Sequence, residues 1–237
     1  MNLLELFRRL ALGELSNLSI ADSENHTIED RGRAQVILHA NEALLRLHTR
    51  FILKEEQLIV QSMAHRSKYP LHQSHALSVQ GQPNAAEPFI MDSEANPFPG
   101  RVIRILDVTD STGKEYTLNV QGSPNSVFTP KGDTLEIPQP LCGRAFGVVY
   151  QANHCELDPT DPLDEEQFID LPEVLETALT AYIAHKIYSH KNTQENMIAG
   201  RAHLSTYEAI CLDAEQRDLL STARSRVPNK FNDNGWV

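Results

Sequence analysis

The stretch from Ile169 to Leu219 constrains the fold most, because it reads as two helices separated by a break so short that they must be antiparallel neighbours. Asp170 stands where an N-cap accepts free backbone N–H groups, and Glu173, three residues on, completes a capping box. Pro172 falls in the first turn, where no N–H is needed, and Ile169 with Val174 has the spacing of a hydrophobic staple. Leu171, Leu175, Leu179, Tyr182, Ile183 and Ile187 recur at helical spacing, which predicts a helix packed along one side. The break falls near Ser189 to Asn192, and Asn192 with Glu195 repeats the capping-box spacing for the second helix. Met197, Leu204, Tyr207, Cys211 and Ala214 form its apolar seam, and Gly200 beside Ala199 and Ala202 lets the two backbones approach closely.

The rest of the chain is placed around this hairpin. Residues 3 to 12 predict a short amphipathic helix with Leu3, Leu6, Phe7 and Leu10 on one face, ending near Gly13. A longer helix follows, with Thr27 as its N-cap, Asp30 as the acidic third position, and Ile37, Asn41, Leu44, Leu45, His48 and Phe51 along one side. From Gln57 the pattern turns β-prone, and QGQPNAAEP (80–88) reads as an exposed loop leading into a β-rich insertion. There VIRILDVTD and KEYTLNV flank Ser111, Thr112 and Gly113 as a hairpin, and DTLEIP and RAFGVVYQANH supply further strands.

Helices before, strands in the middle and helices after make an α+β chain: an α-helical bundle with an inserted antiparallel β-rich domain and an extended C-terminal arm. The expected divisions are residues 1–80 for the N-terminal helices and extended segments of the helical body and 81–157 for the β-rich insertion. Residues 158–220 are the hairpin completing that body, and 221–237 the arm.

Charge and motif content narrow the chemistry. A net charge of -11 argues against a dedicated nucleic-acid binder, whose phosphate contacts need a basic face. No stretch reads as a signal peptide or a membrane span, and Cys142, Cys155 and Cys211 lie too far apart to suggest a disulfide framework or zinc ribbon, so folding in a reducing cytoplasm is expected. Gly113 and Lys114 lack the rest of a phosphate loop. The run Asp158, Asp161, Asp164, Glu165, Glu166 is spaced out by Pro159 and Pro162 and reads as a solvated linker. His39, Asn41 and His48 interrupt the second helix without a third ligand nearby, and the pairs His72 with His75 and His185 with His190 lack partners as well. All read as structural polarity, leaving no catalytic, cofactor-binding or metal site.

The last segment, STARSRVPNKFNDNGWV, is different. It sets Arg224, Arg226 and Lys230 against Asp233 and carries Phe231 and Trp236, the only tryptophan of the chain. Aromatic anchors on a basic extended segment are what a docking peptide needs.

IDLPEVLETALTAYIAHKIYSHKNTQENMIAGRAHLSTYEAIC resembles the helical module of head-to-tail adaptor proteins of short-tailed bacteriophages, also called connector or tubular tail ring proteins. NLLELFRRLALGELSNL followed by IEDRGRAQVILHANEALLRLHTRF looks like their opening helices. About half the chain takes part, by helical pattern rather than by a catalytic string. The resemblance implies a virion structural protein assembled in the host cytoplasm, not an enzyme. By the same resemblance it would form a homo-oligomeric ring, usually dodecameric, beneath the portal protein and continue the channel that double-stranded DNA passes through on ejection. The helical bundle would form the ring wall, and the β-rich part would meet a tail tube or nozzle protein. The arm, with Arg224, Arg226, Lys230, Phe231 and Trp236, would dock on the portal, and no membrane is involved.

Two other readings have distinct expectations. A carbohydrate- or partner-binding tail module would expose aromatics of the β insertion, with Phe89, Phe98, Phe128, Phe146 and Tyr150 as candidates. A hydrolase would gather the histidines and the acidic run around a metal.

Overall fold

A computed structural model describes residues 1–22, 24–138, 143–160, 167–191 and 193–220. The fold is α+β, with four helices and a large mixed sheet. The helices are α1 (Leu3–Leu12), α2 (Asp30–Arg50), α3 (Glu173–Ser189) and α4 (Gln194–Gln216). The strands are β1 (Ala21–Asp22), β2 (Thr27–Ile28), β3 (Glu55–Gln61), β4 (Lys68–Pro70), β5 (Ile90–Met91), β6 (Val102–Asp110), β7 (Glu115–Leu118), β8 (Ser126–Lys131), β9 (Thr134–Glu136) and β10 (Ala145–Ala152). They fall into two compact units, one from residues 1–53 with 154–220 and the other from residues 54–153.

In the helical unit α1 starts at Asn2, whose Oδ1 accepts the Glu5 N–H at 2.8 Å, and it buries Leu3, Leu6, Phe7 and Leu10. The second helix starts later than Thr27 predicts. Thr27 and Ile28 pair with Asp22 and Ala21 in a two-stranded ribbon, and α2 opens at Asp30 behind Glu29, which makes no side-chain cap. Asn41 interrupts the apolar side of α2 for a reason: its amide donates to the Leu157 carbonyl at 2.9 Å and accepts the Leu157 N–H at 2.8 Å, fastening the chain that leads back to α3.

The hairpin forms, with changes at both caps. Pro172, not Asp170, is the N-cap of α3, and no side chain caps it; the Asp170 N–H instead donates to His154 Nε2 at 3.1 Å. Ile169 is buried while Val174 is 44% exposed, so the predicted staple does not close. Thr193 caps α4 by accepting the Asn196 N–H at 3.3 Å; the predicted cap, Asn192, lies outside the described residues.

α3 is not one-sided either. Leu175, Leu179 and Ile183 are buried, but so are Ala178, Ala181, Ala184 and Thr180, because α3 packs against α1, α2 and α4 together. Gly200 sits where α4 crosses α3: a Cβ there would lie 3.0 Å from Ser189 Oγ and 3.3 Å from the His185 carbonyl. His185 Nδ1–H uses the close approach to donate to the Gly200 carbonyl at 2.8 Å.

The second unit is an eight-stranded sheet ordered β4-β9-β8-β7-β6-β10-β3-β5. The predicted hairpin is β6 and β7, with Val108 opposite Tyr116. Its turn is held by Asp110, whose Oδ1 accepts the Thr112 and Lys114 N–H groups at 2.9 and 3.0 Å, and by Gly113 at φ 82, the left-handed region. Two expectations change. The sheet is mixed, because β7 and β8 run parallel. The sheet unit also begins near residue 54 rather than 81, since β3 pairs with β10 along its whole length, from Glu55 opposite Gln151 to Gln61 opposite Ala145. The 80–88 stretch lies inside the sheet unit, ahead of β5.

Candidate interaction surface

The residues singled out for docking, Arg224, Arg226, Lys230, Phe231 and Trp236, lie outside the described residues. So do Asp161, Asp164, Glu165 and Glu166 of the acidic run and Cys142. Asp158 of that run closes a local turn by accepting the Thr160 N–H at 2.8 Å. Among the described residues no group of three or more His, Cys, Asp or Glu is arranged to hold a metal ion. Also among them, no helix is long and apolar enough to cross a membrane.

The histidines are spread over separate structural tasks. His72 faces Asp133 at 3.5 Å, and His75 stacks on Phe89 with ring centroids 4.4 Å apart. His190 Nδ1 bonds the Lys186 carbonyl at 2.7 Å, closing the end of α3. His48 meets His154 edge-on. The aromatics offered for a ligand groove on the sheet are mostly core: Phe89, Phe98, Phe146 and Tyr150 are buried, and Phe128 is half-buried.

A groove of about 540 Å³ opens on the helical unit between α2 and α4, above α3. Helical spacing puts Glu42, Leu45, Arg46 and Thr49 on the outer face of α2, and Tyr182 of α3 and Tyr207 of α4 form the floor, their ring centroids 5.2 Å apart. Glu208 of α4 makes the opposite rim.

The charges of the groove are paired. Glu42 Oε1 accepts from Lys186 Nζ at 2.7 Å and from the Tyr182 hydroxyl at 3.0 Å, while Arg46 donates to that hydroxyl at 3.2 Å and lies 5.3 Å above the Tyr182 ring. Burial pushes the Glu42 carboxyl up, but the Lys186 and Tyr182 hydrogen bonds outweigh it and hold the group below its ordinary value. Arg50 clips α2 to α4: its Nε and one terminal nitrogen take both oxygens of Glu215, at 2.6 and 3.1 Å, and its other terminal nitrogen takes Glu208 at 2.7 Å. Beneath them, burial raises the Cys211 thiol and keeps it protonated. Burial raises the Tyr207 hydroxyl as well, with Cys211 adding to it. The groove therefore presents paired charges and apolar area, with Leu45 47% exposed at its edge.

Compared with protein-family models and with curated proteins, the chain matches none. Its functional reading rests on its own residues.

Sequence reading did not pick out Glu42, Arg46, Arg50, Glu208 and Glu215. A signal exists: Glu42, Arg46 and Arg50 run at i, i+4, i+8 on α2, and Glu208 and Glu215 at i, i+7 on α4, each a polar line along one face. Nothing in either line says that the two face each other.

Proposed function

We propose that the chain is a structural head-to-tail adaptor of a bacteriophage virion, a subunit of a ring that sits beneath the portal, joins the capsid to the tail and continues the DNA channel. In this reading the helical unit is the bundle that forms the ring wall, the sheet unit is the inserted β-rich domain facing a tail tube or nozzle protein, and residues 221–237 are the arm that docks on the portal. Each subunit offers its neighbour two different flanks, as a closed ring requires. An acidic chain lets DNA pass without holding it, because few counterions are released on contact.

One observation carries the reading. Eleven large apolar side chains are exposed among the described residues, and nine of them, including Leu38, Leu45, Ile198 and Leu212, belong to the helical unit, while only Leu77 and Val120 belong to the sheet unit. Apolar surface of this kind, concentrated on one unit, favours subunit contacts there over a ligand groove on the sheet. The alternative, a carbohydrate- or partner-binding tail module using the β-rich part, loses support because four of its five candidate aromatics are core.

The test is assembly on the portal. The purified chain mixed with its portal is expected to give a ring stacked on the portal ring in negative-stain images. Removing residues 221–237 should prevent that stacking while the helical circular-dichroism signal is kept. A full-length chain that stays apart from the portal at every concentration refutes the adaptor reading.

A further inference from the structure

We propose that the cavity between the start of α2 and the end of α3 binds a phosphate group, either as the free ion or as part of a small phosphomonoester. The site lies wholly in the helical unit and is independent of the adaptor reading.

The cavity holds about 330 Å³, room for a phosphate with a small body attached. Among the described residues, none that line it is acidic, in a chain whose net charge is -11. Its cations are Arg31 of α2 and Lys191, just past α3. Arg31 is held in place: its Nε pairs with Glu29 at 2.6 Å and one terminal nitrogen donates to the Ser19 carbonyl at 2.9 Å, which leaves the other terminal nitrogen for a ligand. Asp30, the other carboxylate at the start of α2, pairs with Arg33 at 3.3 Å. Lys191 has no ion-pair partner among the described residues. Ile20 and Ile187 give the cavity its apolar walls, and Gly32 lets Ile20 lie against α2, since a Cβ there would overlap the Ile20 side chain.

Two groups beside the cavity lack acceptors. Glu29 makes no side-chain cap on α2, so the N–H groups of the first turn are open to an anion, which the helix dipole also favours. His39 is buried with neither ring nitrogen hydrogen-bonded, and its ring is centred 5.2 Å from that of His190, which lines the cavity. Glu42 stands 3.8 Å from His39 Nδ1, one turn further along α2, and the cavity residue Gln35 is one turn back on the same face. A buried ring without a partner is costly, and a phosphate oxygen is the acceptor that it lacks. His190 Nδ1 bonds the Lys186 carbonyl, so its Nε2 donates only from a protonated ring; the ring serves as a wall, and the binding rests on Arg31, Lys191 and the open turn of α2. Donors from these separate directions suit a tetrahedral oxyanion better than a flat carboxylate. A DNA duplex would bring many phosphates against a chain of the same sign, whereas a single phosphate enters the cavity alone.

Titration calorimetry of the full-length protein with inorganic phosphate, at fixed ionic strength, is expected to show saturable one-site binding, and phosphate should raise the unfolding temperature. Arg31→Gln and, separately, Lys191→Gln should each weaken binding about tenfold. Arg201→Gln, which removes the same charge from an exposed position on α4, should leave it unchanged. In the unaltered chain, phosphate should shift the ring-nitrogen resonances of His39 in NMR spectra, a readout that holds even where a variant fails to fold. Glycerol 3-phosphate binding more tightly than phosphate assigns the site to a monoester, and equal binding assigns it to the free ion; either result supports the site. Absence of saturation, equal affinity for acetate, equal loss in Arg201→Gln, or His39 resonances that stay in place overturns it. A short DNA duplex that binds through Arg31 and Lys191 more tightly than either phosphate compound also overturns it, by making this face a nucleic-acid contact.

Discussion

The helical unit and the sheet unit bury their apolar side chains in different ways, and the difference shows in what each leaves outside. The sheet unit closes on rings: Tyr69 meets Phe89 edge-on at 5.2 Å, Phe98 meets Tyr150 at 5.9 Å, and Tyr116 meets Phe146 at 5.4 Å. The polar ends of these rings are tied off. The Tyr69 hydroxyl donates to the Arg66 carbonyl at 2.7 Å, and the Tyr150 hydroxyl, raised by burial and then by its neighbour, donates to Glu56 at 2.7 Å. The helical unit is filled mostly by Leu, Ile and Ala around α3, and its outer helices keep leucine and isoleucine facing solvent. Its tyrosines are tied off too, Tyr182 to Glu42 and Tyr188 to the Glu14 carbonyl, so the contrast lies in the surface: among the described residues, most of the exposed large apolar side chains are on the helical unit. The sheet unit spends its large side chains on itself.

Separating the two cores is the strongest test of that contrast. Phe89 is fully buried, touches Tyr69 and stacks under His75, so Phe89→Ala should cost about 3–5 kcal/mol by leaving a cavity. Hydrogen exchange read by mass spectrometry is expected to place the loss in residues 54–153 and leave α3 protected. Equal loss of protection in both units would mean that they unfold as one body. The helical counterpart is smaller. Gly200→Val puts methyl groups against Ser189 and the His185 carbonyl, and should cost about 1–3 kcal/mol, with faster exchange in α3 and α4 alone.

Acid should weaken the helical unit through His39. The ring is buried, with neither nitrogen hydrogen-bonded; Glu42 of α2 lies 3.8 Å away, and the ring of His190, just past the end of α3, is centred 5.2 Å away. Burial first, then His190, lowers its pKa, with Lys186 acting the same way and Glu42 opposing. The unfolded chain therefore takes a proton near the ordinary histidine value, about 6.5, while the folded one resists. The stability this contributes is present above that value and is lost as pH falls through it toward the lower folded pKa. Denaturant midpoints for α3 and α4 should drop between about pH 7 and pH 5.5, and His39→Phe should flatten the drop. His203, also lowered mainly by burial, retains part of the slope. An unchanged slope in His39→Phe would remove His39 from the account.

The parts legible in the sequence are those set by neighbours along the chain. The helical spacing of Leu3, Leu6 and Leu10, the turn at Ser111, Thr112 and Gly113, and the small residue at Gly200 all act within a few positions, and the structure has them in those roles. Errors come where a distant partner decides. Asp170 has the residue type and spacing of a cap, but its N–H is taken by His154, brought from 16 residues upstream. The stretch from Gln57 reads as β-prone but not as part of the β unit, because the partner strand lies about 90 residues later and no local pattern encodes the pairing. The stripe on α3 was visible, whereas its opposite face is buried through alanines and a threonine, which carry no strong apolar signal. The groove is the extreme case: each polar line is local, but its meaning depends on α2 and α4 standing face to face.

The smallest expected change in stability tests the comparison most sharply. Leu38 is 64% exposed on α2 and Ile198 is 61% exposed on α4, and neither is needed to fill the helical core. Leu38→Asp and Ile198→Asp should each alter the unfolding free energy by no more than about 0.5 kcal/mol. If these side chains face neighbouring subunits, each charge must be buried without a partner when the ring closes, a cost large enough to stop assembly. The same substitution at Val120, 47% exposed on the sheet unit, serves as the control. Mass photometry on the portal-bound complex is expected to show rings for Val120→Asp and none for the two helical variants. Rings that form with both helical variants, or that fail only with Val120→Asp, would move the subunit contact to the sheet unit and reverse the assignment of the two regions.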